Sequence, residues 1–182
     1  MSTSPNLQPN TLEDNVTKLV PLRAADFDAL YEVASDPGIW EQHPARDRYK
    51  KEVFEIFFQG AVSSQSAFLI YDRQSNALIG STRYYGYNAA ESSIGIGYTF
   101  LAKEFWGGPY NHSTKKMLLD YAFQFVDSVK FHIGVSNIRS QKAVEKLGAT
   151  KSTEVDFELN GVNIPHFEYL LPKSTWEQNV KS

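Results

Sequence analysis

A glycine-containing turn that feeds a helix is a place where anions bind. The first N–H groups of the helix have no partner within it and carry partial positive charge. Residues 106–112, Trp-Gly-Gly-Pro-Tyr-Asn-His, form such a turn. Before it lies a β-rich apolar run, and after it Met117, Leu118, Tyr121, Ala122 and Phe125 recur at helical spacing. Pyrophosphate is the usual occupant of such a position. Gly107 and Gly108 are also consistent with a plain turn, and Trp106 with a core anchor. Two compatible uses are open to Asn111, capping the helix or donating to a phosphate oxygen. Lys115, one turn on, either supplies charge to the phosphate or is a solvated lysine on a helix face. A second helix start follows at Asn137, ahead of Ala143, Val144 and Leu147. Asn137 there is a helix cap or a ligand contact, and Ser140 either faces the same groove or satisfies its own turn. His132, in an apolar strand where a structural role is the plain reading, and Tyr84, Tyr85 and Tyr87, in the strand at 77–87, are the other groups that could move protons.

These residues sit on a strand, turn, helix, strand, helix unit over residues 94–148, closed by Gly148. Upstream, residues 19–22 read as a first strand. Residues 24–34 then place Phe27, Leu30, Tyr31 and Ala34 on one helical face, stopped by Asp36-Pro37-Gly38. A loop with Trp40, His43 and Pro44 leads to a second one-sided apolar helix at about 47–59. Strands at 66–71 and 77–87 follow, joined through 73–76. After the central unit, strands at 150–159 and 162–171 are joined through Asn160-Gly161, a strong hairpin signal, and 172–182 reads as a short helix or tail. Residues 1–15 have almost nothing to bury and are expected to form a mobile arm, leaving 16–182 as a single domain. The expected architecture is α/β (α+β): a twisted, mixed, mostly antiparallel sheet of six or seven strands with about four helices.

A chain of 182 residues with 42% hydrophobic content can bury one substantial core. Its net charge of −3 argues against nucleic acid or an anionic membrane as an obligate partner. Without cysteine there is no disulfide, thiolate nucleophile or cysteine-based zinc site, and a cytoplasmic location is expected. No apolar run approaches the roughly 20 residues of a spanning helix.

Three stretches carry a resemblance to a known family: Gly97-Tyr98-Thr99-Phe100, the turn Trp106-Gly107-Gly108-Pro109-Tyr110-Asn111, and Asn137-Ile138-Arg139-Ser140 through Glu145-Lys146-Leu147-Gly148. Together with the element order, they resemble the GNAT acetyltransferases, particularly the branch of ribosomal-protein N-terminal acetyltransferases. The resemblance implies a sheet splayed near its middle and acetyl-CoA as co-substrate, with no metal. It implies an N-acetyltransferase acting on a peptide or small-molecule amine, with a homodimer compatible. A catalytically inactive CoA-binding module is the alternative, and a plain interaction domain a third reading. The implied cofactor contacts are Tyr98, Thr99, Phe100, Trp106, Gly107, Gly108, Pro109, Tyr110, Asn111, Lys115, Asn137 and Ser140. The family's turn pattern departs here at Trp106, Pro109 and Asn111, and Pro109 has no N–H to donate.

Direct transfer needs a neutral amine, donors for a developing oxyanion and a proton for the leaving sulfur. Backbone N–H groups of residues 97–101 are the implied donors. A tyrosine that protonates the thiolate in many family members is replaced by Val144, so Ser140 inherits that role. A family glutamate falls on Gly95, and Glu91, four residues earlier with the same strand parity, is the nearest carboxylate for a base, or else an ordinary hairpin charge. A peptide α-amine, at about 7.7–8.0, needs less help from a base than a lysine amine at about 10.4. Trp40, His43 and Tyr85 are the implied acceptor contacts.

Overall fold

In the strand Ala67–Asp72, alternate residues enter different cores: Phe68 and Ile70 belong to one cluster, Ala67 and Leu69 to another. Because side chains alternate across a strand, the sheet is covered on both faces. This computed structural model describes residues 3–159 and 161–181. Its eight strands are β1 (Leu12–Glu13), β2 (Thr17–Pro21), β3 (Ala67–Asp72), β4 (Leu78–Asn88), β5 (Ser93–Leu101), β6 (Ser128–Gly134), β7 (Thr150–Leu159) and β8 (Val162–Pro172). The helices are α1 (Phe27–Ala34), α2 (Lys51–Ser64), α3 (Tyr110–Ala122), α4 (Ile138–Lys146) and α5 (Lys173–Lys181). The sheet order is β1-β2-β3-β4-β5-β6-β8-β7, antiparallel throughout except for β5 and β6.

The fold class is as expected, with one strand or two more and one helix more. The added strand, β1, is two residues long and is held by pairing with β2. Such a segment has no periodicity of its own to read. The segment expected to be a mobile arm lies against the domain. Gln8 Nε2 donates to Ala67 O at 2.7 Å and Tyr121 donates to Asn6 O at 2.6 Å. Of the Asn160-Gly161 hairpin signal, Asn160 lies outside the described residues, and Gly161 takes the positive φ of 78°.

The first core packs α3, α4 and α5 on one face, through Leu118, Leu119, Ala122, Val144, Leu147 and Trp176. The second packs α1 and α2 on the other, through Leu30, Ala34, Phe54, Phe58 and Ala61, and takes in Trp40 and Phe100.

Two irregularities shape the middle of the sheet. β5 and β6 pair only at Ser93↔Ser128, Ile94↔Val129 and Gly95↔Lys130, then part. Beyond that point Ile96–Leu101 and Phe131–Gly134 diverge, which opens the expected splay. On the other side of β5, the partners pass from Arg83↔Gly97 to Ser81↔Phe100, two residues of β4 against three of β5. This is a β-bulge, with Tyr98 at φ 53°, and it removes backbone groups of β5 from the ladder.

Candidate cleft between the parted strands

The splay leads into a cleft of about 520 Å³. Its walls are β5 from Ile96 to Leu101, β6 from Phe131 to Gly134, the turn before α3, the start of α4, and His43 and Pro44 from the α1–α2 loop. Four cationic side chains line it, Lys115, Arg139, Lys142 and Lys146, and no aspartate or glutamate does. Unscreened positive charge along one groove is what a polyphosphate ligand requires.

The turn carries its strain at Gly107, with φ 74°, and open space surrounds its missing side chain. Gly108 has an ordinary φ. Pro109 is the N-cap of α3, and its carbonyl accepts from Ser113 N. The orphan donors are therefore the N–H groups of Tyr110, Asn111 and His112, three of the usual four, because Pro109 at the cap has no N–H to give. The side chains of Asn111 and His112 line the cleft. Those of Pro109 and Tyr110 do not, so any contact they make there is through backbone. The Tyr110 ring packs edge-on against Phe105 at 4.9 Å. Trp106 is fixed by Nε1 donating to Leu101 O at 2.9 Å, and the guanidinium of Arg139 stacks on its ring at 3.6 Å. This contact joins the start of α4 to the turn before α3.

Asn137 is a cap, accepting from Ser140 N at 3.3 Å, and it also lines the cleft. Ser140 lines it one turn into α4. Lys115 corrects an expectation, since its ammonium points inward. It is 5% exposed and donates to Thr99 Oγ1 at 2.7 Å, where Thr99 also meets Thr82 Oγ1 at 2.9 Å. Burial lowers Lys115 from 10.5 to about 7. Phe100, next on β5, is buried between Trp40 and Phe54 and also borders the cleft.

Of the two readings of Glu91, base or hairpin charge, the structure has the second. Glu91 is in the exposed β4–β5 turn, pairs with Lys130 at 3.1 Å and does not line the cleft. The parity argument fails because β5 begins only at Ser93 and the chain reverses at Ser92, which has φ 51°. Gly95 is explained by its neighbour, since a Cβ there would come within 2.5 Å of the Tyr85 ring, and one at Gly97 within 2.9 Å. The two glycines let that ring lie against β5. Tyr85 then hydrogen-bonds His132 Nδ1 at 2.6 Å, and His132 Nε2 meets Glu168 at 2.8 Å. Burial keeps Tyr85 well above the usual phenol range. With Nε2–H donating to the carboxylate, Nδ1 accepts from the phenol, and the three groups form a proton path that reaches the cleft at His132.

Trp40 is a second correction. It is 1% exposed and donates from Nε1 to Ala34 O, so it is core rather than an acceptor contact. Its ring holds His43 edge-on at 5.4 Å. His43 does line the cleft. Its Nδ1 accepts from Ala45 N at 2.9 Å, and burial, with Arg48 nearby, lowers it to about 3. The neutral ring therefore carries its proton on Nε2 and is a donor, not a base. Pro44 closes this end against Gly134, where a Cβ would meet the proline at 2.6 Å.

Glu168, Arg48 and Arg83 escaped the sequence reading, and Arg139 entered it only as part of the stretch from Asn137 to Gly148. The register His132↔Glu168 across β6 and β8 is invisible without strand pairing. The signal for Arg83 was legible, a charge within the run Leu78–Asn88 that otherwise reads as strand.

Among the described residues there is no cluster of His, Asp or Glu able to hold a metal, and no helix long and apolar enough to cross a membrane. The family model described as an acetyltransferase (GNAT) domain matches residues 17–150. No curated protein matches. Among solved structures, a GCN5-related N-acetyltransferase from Brucella melitensis superposes with TM-score 0.82 at 18% identity, covering 95% of this chain and 83% of that one. Spermidine N-acetyltransferase from Vibrio cholerae, in complex with CoA and spermine, gives TM-score 0.69 at 17% identity over 90% and 99% of the two chains. A protein of the same organism, provisionally named a ribosomal-protein-serine acetyltransferase, gives 0.73 at 14% identity over 89% and 97%. Such identities show the common fold and favour no branch, the ribosomal-protein one included.

Proposed function

The chain belongs to the GNAT acetyltransferase family, and from that premise we propose that it moves an acetyl group from acetyl-CoA directly to a primary amine, on a peptide or a small molecule. The observation that carries this reading is the cleft itself. It opens where β5 and β6 part, offers Arg139, Lys142 and Lys146 besides the buried Lys115 and no carboxylate, and receives the N-terminal ends of both α3 and α4. Bound acetyl-CoA supplies an activated thioester carbonyl. The N–H groups of Tyr110, Asn111 and His112, with Lys142 and Lys146, would hold its phosphates, and Asn137 and bulged β5 its pantetheine arm.

The chain's own groups meet the three needs of transfer. Backbone N–H groups freed at the Tyr98 bulge, with His43 Nε2–H, donate to the carbonyl oxygen as it becomes negative. The amine proton is taken up by the Tyr85–His132–Glu168 path, which meets the cleft at His132, with Tyr85 and Glu168 holding the imidazole and Glu168 balancing its charge. Ser140 relays a proton to the departing sulfur as the C–S bond breaks, its hydroxyl regaining from solvent the proton it passes on, while the proton taken up at His132 is released to solvent. Of the three departures from the family pattern that motivate the inactive module, Gly95 makes room for the Tyr85 ring, Pro109 caps α3, and Val144 packs in the first core and leaves the sulfur to Ser140.

The test is thermal unfolding with and without acetyl-CoA, followed by thiol release with an amine panel. At 100 times its dissociation constant, a ligand stabilises the fold by about 2.7 kcal/mol, a rise in Tm of roughly 5–10 °C. Without a shift the reading fails. A shift without turnover on any amine leaves the inactive CoA-binding module.

A further inference from the structure

Beside the cleft, on the face covered by α2, is a second cavity of about 220 Å³. Arg48, Arg83, Phe57, Tyr98 and Leu159 are among its walls, and Tyr98 borders both cavities. Arg83 is 9% exposed, and its Nε is buried without a hydrogen-bond partner. Its guanidinium lies 3.4 Å from the centre of the Tyr98 ring, and Gly60 on α2 leaves room for it, a Cβ there falling 3.5 Å from Nη1. Arg48 lies over Phe57 at 4.5 Å and Trp40 at 5.4 Å. Among the described residues, none of the ion pairs involves either arginine. Two neighbouring guanidinium groups, one buried with an open donor, are costly in an apolar pocket unless an anion meets them.

The other charged group of this cavity is Asp47, outside ion-pair distance of Arg48. Two positive charges against one negative leave a balance suited to a monoanion. The flat donor edge of a guanidinium matches a carboxylate. Polyamine acceptors would meet repulsion here.

We propose that Arg48 and Arg83 form a carboxylate subsite and that the acceptor is an amine bearing a carboxylate, either a free amino acid or a peptide whose first side chain is acidic. This deepens the transferase reading and rests on it. The carboxylate binds in the second cavity, and the amine enters the cleft past Tyr98, on the face where Tyr85 and His132 lie.

The test compares L-glutamate, the dipeptide amides Glu-Ala-NH2 and Gln-Ala-NH2, and spermidine as acceptors for wild type and Arg48→Gln. Carboxylated acceptors should exceed Gln-Ala-NH2 and spermidine in kcat/KM by roughly 10- to 100-fold, the worth of a charge-assisted contact. Arg48→Gln should collapse that ratio while the KM for acetyl-CoA stays put. Preference for L-glutamate over Glu-Ala-NH2 assigns the site to the amino-acid carboxylate, and equal use assigns it to the acidic side chain. Equal or better use of Gln-Ala-NH2 or spermidine overturns the proposal, as does a ratio unchanged in Arg48→Gln. If no amine is acetylated, although acetyl-CoA still raises Tm, the transferase reading fails separately. Calorimetry with glutarate then decides the subsite: binding lost in Arg48→Gln upholds it, and no binding to the wild type overturns it.

Discussion

Lys115→Met removes a cation that the fold holds at a cost, and the cost can be worked from its position. The ammonium is buried, has one hydrogen-bond partner, Thr99 Oγ1, and belongs to none of the ion pairs among the described residues. Lowering from 10.5 to about 7 corresponds to a penalty on the order of 5 kcal/mol at 1.36 kcal/mol per pH unit. The folded-state value lies below the unfolded one, so the unfolded chain binds the extra proton between pH 7 and 10.5. The penalty is complete below pH 7, shrinks as pH rises and vanishes above 10.5. Methionine has similar length and no charge, and it forgoes only a hydrogen bond worth about 1 kcal/mol. At pH 8 the variant should therefore be the more stable by about 2 kcal/mol. That advantage should fall by about 2 kcal/mol by pH 9.5, as the wild type gains about 1.36 kcal/mol per pH unit, the slope of a one-proton difference. Urea unfolding of both proteins at pH 7, 8, 9 and 9.5, with equal m values as a control, measures the difference and cancels other titrations. A difference constant with pH would refute the buried, proton-poor lysine. The same group bears on ligand binding. Phosphates in the cleft favour the ammonium, so acetyl-CoA should bind with proton uptake near pH 8, seen by calorimetry in two buffers and lost in Lys115→Met.

Ser140→Ala should lower kcat by about 10²–10⁴ if its hydroxyl protonates sulfur, with acetyl-CoA affinity within a few-fold; an unchanged kcat at saturating acceptor removes it from the mechanism. His132→Gln should lower kcat to a similar degree without altering the Kd of acetyl-CoA, and wild-type turnover in that variant would end the relay proposal. Gly95→Ala pushes a methyl group into the Tyr85 ring. It should cost about 1–3 kcal/mol of stability and lower kcat further by breaking the Tyr85–His132 bond, both read from urea unfolding and steady-state rates. Loss of stability with full kcat would show that the Tyr85 contact is structural only.

The sequence by itself determined the elements and their order, because helical and strand periodicity, glycine turns and caps are local. It also located the turn before α3 and the start of α4, whose N–H groups are orphaned wherever such helices begin. Tertiary structure decided what faces what. Glu91 had the right parity on paper, but the chain reverses at Ser92, a fact of the turn and not of the spacing. Lys115 looks like a surface cation on its helix, and only the packing of α3 against β5 turns its ammonium inward to Thr99 and strips it of water. Trp40 and His43 are three residues apart, yet one supports the core and the other reaches the cleft, because the second helical layer covers the first and Pro44 carries the second to Gly134. Gly95 reads as a lost carboxylate until the Tyr85 ring is seen against it. The Tyr85–His132–Glu168 path joins β4, β6 and β8 through a strand pairing 36 residues distant in sequence and a side-chain contact across β5 47 residues distant, and no local pattern encodes a contact whose partners meet only when the sheet forms.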